Sequence, residues 1–408
     1  MEIRPILSTL SRHKTAAALI VLEIALTCAI ICNALFLIAE RLDGMRIRSG
    51  VVENELVRVQ AGSLRQLGTD SSLNKSITLD YLDTLRKVPG VTQVGYSNQL
   101  PFGNSSNNSS IRLARDQQNQ NLNATVYMDA GNLLETFGLR LVSGRDFNPD
   151  EYQELTDVEK AGDDGRINGA IINRTMAEKL FPGKNAVGQS FYSWGNNPIP
   201  VIGVVDELVR PNSGNLGQYA MIFPIRDYNV GQTFLMRTEP SRRAEVLKSA
   251  VDALKRTDPN VLIVNQGTFE ELRNKFFEQD RSMAWMLVVV IAALLVVTAL
   301  GIVGLASFWV QQRTRQIGVR RALGATKAQI LRYFQTENFL LASVGIVLGM
   351  LLAYAINQLL MSKYELPRLP LWYLPLGAIT LWVLGQIAVF GPARKAASVP
   401  PAIATRSA

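Results

Sequence analysis

Histidine and cysteine are nearly missing from this sequence, which has one histidine (His13) and two cysteines in 408 residues. The segment 40–281 contains neither, which excludes Cys–His and Ser–His nucleophile pairs and histidine-containing metal sites there. Cys28 and Cys32 lie four residues apart inside an apolar run, where packing is a more common role than a disulfide. Carboxylates are plentiful, but no spacing singles out a catalytic pair. The residues therefore predict no catalytic site and no metal site.

A phosphate-binding loop is also missing. No G-x-x-x-x-G-K-[ST] pattern occurs, because Gly183-Lys184 is followed by Asn185 and lacks the upstream glycine. The net charge of +8 is explained by basic segments beside apolar runs, so it does not require nucleic acid as a partner.

Charged residues are absent from four long stretches, apart from Glu23 in the first one and Glu337 at the start of the third. A helix needs about 20 mainly apolar residues to span a bilayer. We therefore predict four transmembrane helices, at residues 15–39, 282–311, 337–362 and 370–391. The second uncharged run would be about 46 Å long as a helix, which exceeds a bilayer core of about 30 Å. It is expected to continue out of the membrane as a stalk.

The positions of Lys and Arg predict the orientation of these helices, because cytoplasmic loops carry an excess of both. Basic residues precede the first span (an amphipathic segment, 1–14), fill the segment 312–336 and follow the last span (392–408), whereas the loop 363–369 has only two, offset by Glu365. Both termini and the segment 312–336 are predicted to be cytoplasmic, and the segment 40–281 lies outside.

The segment 40–281 is predicted to be a mixed α and β domain. Strand patterns occur at 56–60, 91–96, 124–128, 169–172 and 200–205, and helical patterns at 79–87, 175–181, 246–254 and 269–277. The stretch 101–110 is predicted to be a polar loop. The fold class is thus an α-helical membrane domain with a large inserted α+β extracytoplasmic domain.

The basic segment between the second and third spans predicts two helices joined by a tight elbow. Gly324 suits the left-handed position that ends a helix. Thr326 with Gln329 forms a capping box that starts the next one. The basic side chains are Arg313, Arg315, Arg320, Arg321, Lys327 and Arg332, with no acid before Glu337. Small residues at the tip favour a surface that a partner grips; the alternative is a loop that only satisfies the charge rule.

Four residues inside the spans stand out. Glu23 and Asn33 are polar side chains in the first span, and an intramembrane acid is a functional hypothesis by default. For Glu23, a structural pairing role is favoured over function. Gly345 and Gly349 form a small-xxx-small pair that lets helices approach closely. A dimer seam and packing within one subunit are equally open readings of this pair.

The sequence GVRRALGAT, followed by a basic helix and a glycine-containing span, resembles the FtsX/MacB-like family of ABC transporter permeases. Just before this motif, the acid that the family usually has in the sequence REIG is replaced by Gln316. Further blocks that resemble the MacB-like periplasmic core domain are LRKVPGV, FGLRLVSGRDF, IINRTMAEKLFPGKNAVGQSF and VIGVVD, and GPARKAASVPPAIATR resembles the family tail. The resemblance covers nearly the whole chain.

The resemblance implies a non-catalytic permease in a bacterial inner membrane, with its large domain in the periplasm. It places ATP and Mg on a separate ATPase chain, present in two copies, and adds a second permease copy or paralogue. The implied work is efflux with a periplasmic adaptor as a further partner, or lipoprotein handling. The ATPase-coupling residues implied are Arg315, Gly318, Arg320, Arg321, Ala322, Leu323, Gly324, Ala325 and Thr326. The alternative function is a membrane-anchored receptor for an extracytoplasmic ligand, although the cytoplasmic segments are short for a signalling domain.

Overall fold

The computed structural model describes residues 14–67, 71–104, 106–212, 218–364 and 368–400. The predicted amphipathic segment 1–14 lies outside this range except for Lys14, as does the tail beyond residue 400. The chain divides into two compact units. The outer domain is Ile47–Glu278, and the membrane unit comprises Met1–Arg46 and Gln279–Ala408.

The helices in chain order are α1 (Lys14–Met45), α2 (Ser71–Arg86), α3 (Leu133–Phe137), α4 (Leu155–Ala161), α5 (Arg174–Leu180), α6 (Arg243–Thr257), α7 (Phe269–Phe276), α8 (Glu278–Gln312), α9 (Thr314–Ala322), α10 (Lys327–Tyr364) and α11 (Tyr373–Ala397). The strands are β1 (Leu56–Ser63), β2 (Val91–Ser97), β3 (Asn108–Ile111), β4 (Leu122–Met128), β5 (Leu141–Gly144), β6 (Gln153–Glu154), β7 (Ala170–Asn173), β8 (Ser190–Tyr192), β9 (Pro198–Val205), β10 (Ala220–Phe223), β11 (Ile225–Arg226), β12 (Thr233–Thr238) and β13 (Val261–Thr268).

One sheet of the outer domain is antiparallel, with the order β13-β1-β12-β2. Alternating apolar residues of β1 and β12, such as Val57, Val59 and Phe234, are buried together with side chains of α2 and α6, including Tyr81 and Leu254. This arrangement of two helices on one face of a sheet gives the first hydrophobic core of the domain.

The second sheet is mixed, with the order β3-β4-β10-β7-β9-β5, and β8 adds to β9. Pairing is parallel between β4 and β10 and between β7 and β9, and antiparallel elsewhere in this sheet. Its core contains Ile172, Met176, Phe191 and Phe223. A short parallel pair, β6 with β11, completes the described strands.

Four helices of the membrane unit are long and apolar enough to cross a membrane: α1, α8, α10 and α11. Helix α1 contacts α10 along most of its length because glycines replace side chains there. A Cβ added at Gly349 would lie 2.5 Å from Cys28 Cβ, and one added at Gly345 would lie 2.9 Å from Ile24 Cβ. Close backbone approach through small residues is the usual means of packing helices in lipid.

Helix α8 is joined to α1 by two polar contacts. The hydroxyls of Thr27 and Thr298 are 2.9 Å apart, and Arg41 Nη1 lies 2.6 Å from Asp280 Oδ1. Most of the rest of α8 is exposed, with apolar side chains that suit lipid.

Several sequence predictions of secondary structure are confirmed, with shifted boundaries. Helix α2 begins eight residues before the predicted start at 79, because Leu73 and Ile77 extend its apolar face toward the N-terminus among mainly polar residues. The predicted polar loop 101–110 is wrong at its end, where Asn108 to Ser110 pair with β4. Helix α11 runs past the predicted end of the fourth span at 391. It continues through Pro392 since Ala393, Ala396 and Ala397 pack against α9 and α10.

Candidate functional site

The elbow between α9 and α10 is built by two local hydrogen-bond motifs. Gly324 has a φ of 98°, and its N–H donates to Arg321 O at 3.1 Å, while Ala325 N–H donates to Arg320 O at 3.0 Å. This pair of bonds is the Schellman motif, which satisfies carbonyls at a helix end and requires a left-handed residue. Gly324 provides that conformation without a Cβ penalty.

A capping box then starts α10. Thr326 Oγ1 accepts from Gln329 N at 3.2 Å, and Gln329 Oε1 accepts from Thr326 N at 2.8 Å. Two amides that would otherwise lack partners are satisfied reciprocally. The predicted helix–elbow–helix shape is therefore confirmed, and the Schellman motif and the capping box together fix the turn between the two helices.

The inner side of the elbow is an apolar cluster. Ile317 of α9, Ile330 and Phe334 of α10, and Ala393 and Ala396 of α11 are buried together. Three helices thus share one small core, and α9 is fixed by packing although it is only nine residues long.

A buried ion pair links the end of α8 to α10. Arg313 Nη1 donates to both carboxylate oxygens of Glu337, at 3.0 and 2.9 Å, and the Glu337 side chain is only 1% exposed. The Arg313 guanidinium also lies over the ring of Trp309, 5.5 Å from its centroid. Because the pair is shielded from solvent, removal of either partner would leave the other charge buried and unpaired, which strongly lowers stability.

The outer side of the elbow carries the predicted coupling residues, with three exceptions. Arg315, Arg320, Ala322, Leu323, Gly324 and Thr326 are exposed, Arg321 and Ala325 are half-buried and Gly318 is buried. Leu323 is 83% exposed, which is the largest exposed fraction among the exposed large apolar side chains described.

Arg321 has a contact within the chain that the sequence did not predict. Its Nη1 donates to Ala397 O at 2.6 Å, at the last residue of α11. A cation at this position satisfies a terminal carbonyl and complements the helix dipole. By contrast, the guanidinium of Arg320 lies over the ring of Tyr333, 5.2 Å from its centroid, on the exposed side.

The intramembrane residues take different roles. Asn33 Nδ2 donates to Ala29 O at 3.0 Å and to Ala353 O at 3.2 Å, so it joins α1 to α10. The carboxylate of Glu23 lies against Gly301 of α8. Within the described residues it has no hydrogen-bonding or ionic partner, so the predicted pairing is not found there. Gly345 and Gly349 pack on α1 of the same chain, in the arrangement expected for packing within one subunit.

A second constellation, at Arg273 of the outer domain, was missed by sequence reasoning. Arg273 Nη1 lies 2.5 Å from Glu53 Oε1, and Nη2 donates to Ile47 O at 2.8 Å. The same guanidinium lies 4.7 Å from the ring centroid of Phe102 and 5.6 Å from that of Phe277. One side chain therefore ties the first residue of the domain to the segment that leads into α8. The aromatic residues near 276 were the only sequence signal for it.

These geometries were compared with known proteins. The family model described as MacB-like periplasmic core domain matches residues 15–254, and the one described as FtsX-like permease C-terminal matches residues 288–401. The elbow lies inside the second matched region, and the outer domain lies inside the first one up to residue 254.

Two relatives illustrate the similarity. The macrolide export ATP-binding/permease protein MacB of Chromobacterium violaceum is 25% identical over 292 residues, covering 70% of this chain and 43% of the relative. The uncharacterized ABC transporter permease YknZ of Bacillus subtilis is 26% identical over 278 residues, covering 66% of each chain. The chain therefore spans less than half the length of that MacB relative.

Among solved structures, the periplasmic region of MacB from Actinobacillus actinomycetemcomitans is 15% identical and covers 58% of this chain and 97% of its own, with a TM-score of 0.34. The MacB-like model alone covers more than half of the present chain. The chain belongs to the FtsX/MacB-like family of ABC transporter permeases.

Proposed function

We propose that this chain couples ATP hydrolysis, on a separate ATPase chain, to movement of its outer domain. The observation that carries the proposal is the elbow, where a nearly fully exposed Leu323 projects from a turn that is fixed by a Schellman motif and a capping box. An exposed apolar side chain on a rigid support, surrounded by arginines, is suited to a pocket on a protein partner. The ATP and Mg are bound by that partner.

The orientation follows from charge. The concentration of basic residues on the elbow supports a cytoplasmic position for it and for both termini, in what we propose is a bacterial inner membrane. The outer domain is then periplasmic. In this orientation the elbow is available to a cytoplasmic ATPase.

Transmission to the outer domain would use α8. Only Phe277 separates α7 of the outer domain from α8, and α8 has 35 residues, or about 52 Å. Tilt can absorb part of the length beyond a bilayer core of about 30 Å. The Arg313–Glu337 pair fixes the elbow to the cytoplasmic end of α8, and within the outer domain Arg273 of α7 contacts Glu53.

The assembly we propose contains two ATPase copies and a second permease copy or paralogue, with membrane lipid around the exposed face of α8. The relatives named MacB are macrolide export proteins, which favours efflux as the work performed, with a periplasmic adaptor as a further partner. Lipoprotein-related export is the other form of work that this coupling can drive.

The test is the variant Leu323→Asp in the full-length chain, expressed in its native membrane and purified in mild detergent with nucleotide present. We expect the ATPase that copurifies with the wild-type chain to be lost, because a charged side chain cannot enter an apolar pocket without a desolvation cost. Leu262→Asp, at an exposed apolar residue of the outer domain, is the matched control and should retain the ATPase.

Equal amounts of ATPase with both variants would contradict the role of Leu323. If the wild-type chain itself captures no ATPase, the receptor alternative is supported instead. Thermal midpoints for both variants show whether the folds are intact, so that loss of binding is distinguished from unfolding.

A further inference from the structure

The outer domain contains a cavity of about 750 Å³ that the coupling role does not use. This volume is within the range of small-molecule sites, which are about 300–1,000 Å³. The cavity lies beside the ends of β4, β8 and β11 and against α4. Its buried floor is apolar and includes Met128 and Val158.

The wall of this cavity has a consistent charge. Three carboxylates line it, from Glu159, Asp163 and Asp227, and among the described residues its lining includes no lysine or arginine. Asp227 is 9% exposed, and its Oδ1 accepts from Asn229 N at 2.9 Å. Its Oδ2 has no hydrogen-bonding partner among the described residues, so one oxygen of this largely buried residue remains available beside the cavity.

One wall presents an aromatic ring from a strained backbone. Trp194 has a φ of 49°, which is rare for a residue other than glycine. Its ring packs against Phe223, with centroids 5.4 Å apart. The neighbouring turn is fixed to the segment that follows α4, because Asn196 N donates to Asp163 O at 2.9 Å. The indole is therefore held in place before any ligand arrives.

We infer that this cavity binds a small organic cation, with an ammonium group toward Asp227 and an apolar body against Trp194 and Met128. A buried carboxylate attracts a cation more strongly than an exposed one, because less solvent screens it. The tryptophan face adds a cation–π contact and apolar area. The exposed carboxylates of Glu159 and Asp163 raise the local concentration of cations at the entrance.

The proposed cation site does not depend on the proposed coupling function, so experiments can refute either proposal without refuting the other. Variants of the elbow should leave binding unchanged, and variants of the cavity should leave ATPase capture unchanged.

The test uses the full-length chain in lipid nanodiscs with phenethylamine as the probe and 2-phenylethanol as its neutral analogue. Trp194 is the only tryptophan of the outer domain, because the other four are Trp285, Trp309, Trp372 and Trp382. The fluorescence of wild type minus that of Trp194→Phe therefore reports the cavity, and calorimetry gives the affinity. We expect saturable binding of the amine, with the alcohol at least tenfold weaker.

Asp227→Asn should weaken amine binding about tenfold or more, since it removes the buried charge while keeping an oxygen for Asn229 N. Glu159→Gln, on the exposed rim, should weaken amine binding less than Asp227→Asn does. Its effect should be larger at low salt, because salt screens exposed charges. The matched control is Asp157→Asn, an exposed acid on the same helix that does not line the cavity, and it should bind as wild type does.

Equal affinity for the amine and the alcohol would overturn the inference, as would wild-type affinity in Asp227→Asn. Absence of saturable amine binding at millimolar concentrations would also overturn it. Much tighter binding of a lysine-rich peptide than of phenethylamine would reject the small-molecule assignment in favour of a protein partner.

Discussion

The buried ion pair of the elbow can be tested by replacing Glu337 with glutamine. Glu337 is 1% exposed, and both of its oxygens accept from Arg313 Nη1. Breaking a buried pair by removing one charge costs about 3–5 kcal/mol, because the other charge stays buried without compensation. Glutamine keeps one acceptor oxygen, so we expect the lower end, about 3 kcal/mol.

This loss should be visible as a lower thermal midpoint of the membrane unit. A change of 1 kcal/mol corresponds to roughly 2–4 °C for a unit of this size, so we expect a fall of about 6–12 °C. Tryptophan fluorescence is a suitable readout because four of the five tryptophans lie in the membrane unit. Glu40→Gln makes the same chemical change at an exposed residue of α1 and should shift the midpoint little.

A double-mutant cycle then separates the pair from its burial. Replacing both Arg313 and Glu337 with methionine removes both charges and keeps most of the volume, so the double variant should be more stable than either single variant. An equal thermal midpoint for Glu337→Gln and the Glu40→Gln control would refute this reasoning. So would a double variant whose loss of stability equals the sum of the two single losses, because the two side chains would then not interact as a buried pair.

Two further predictions concern packing and pH. Gly349→Ala should destabilise the membrane unit by about 1–3 kcal/mol, since its Cβ would lie 2.5 Å from Cys28 Cβ, whereas Gly304→Ala, with no atom within 4 Å, should be neutral in the same thermal assay. In the outer domain, the pKa of the Asp206 carboxyl is held below its ordinary 3.8. The causes are a hydrogen bond and the charge of Arg140, together with the charge of Arg174. The folded state therefore binds fewer protons than the unfolded chain, so this stabilisation is complete above pH 3.8 and is lost as the pH falls through the lowered pKa. Asp206→Asn should flatten the acidic side of a profile of thermal midpoint against pH, and an unchanged profile would contradict the assignment.

The elbow was predictable from sequence because its signals are local. The Schellman motif is signalled by a glycine after a helical run, and the capping box by Thr-x-x-Gln before the following helix. Both motifs are present, and their hydrogen bonds join residues at most five positions apart. The four apolar helices were predictable for a similar reason, since length and absence of charge are properties of one segment.

Pairings between distant residues could not be predicted in the same way. The partner of Arg313 lies 24 residues away, and that of Arg321 lies 76 residues away. The residue spacing within one segment does not indicate which distant segment it contacts. The small-xxx-small pair illustrates the limit, because its spacing predicts a close approach but is the same whether the neighbour is α1 or a second copy. The sheet orders of the outer domain depend on such long-range pairings throughout.

Arg321 separates a structural role from a partner-binding role on one helix turn. The resemblance assigns Arg320 and Arg321 alike to the ATPase surface, but Arg321 Nη1 donates to Ala397 O at 2.6 Å, whereas Arg320 is exposed. Arg321→Ala should therefore lower the thermal midpoint through a loss of about 1–2 kcal/mol, with partial rescue by lysine. Arg320→Ala should leave the midpoint unchanged and reduce ATPase capture. Unchanged stability in Arg321→Ala, together with an equal loss of ATPase in both variants, would show that both arginines serve the partner surface. A stability loss confined to Arg321→Ala would show instead that the end of α11 and the elbow form one rigid support.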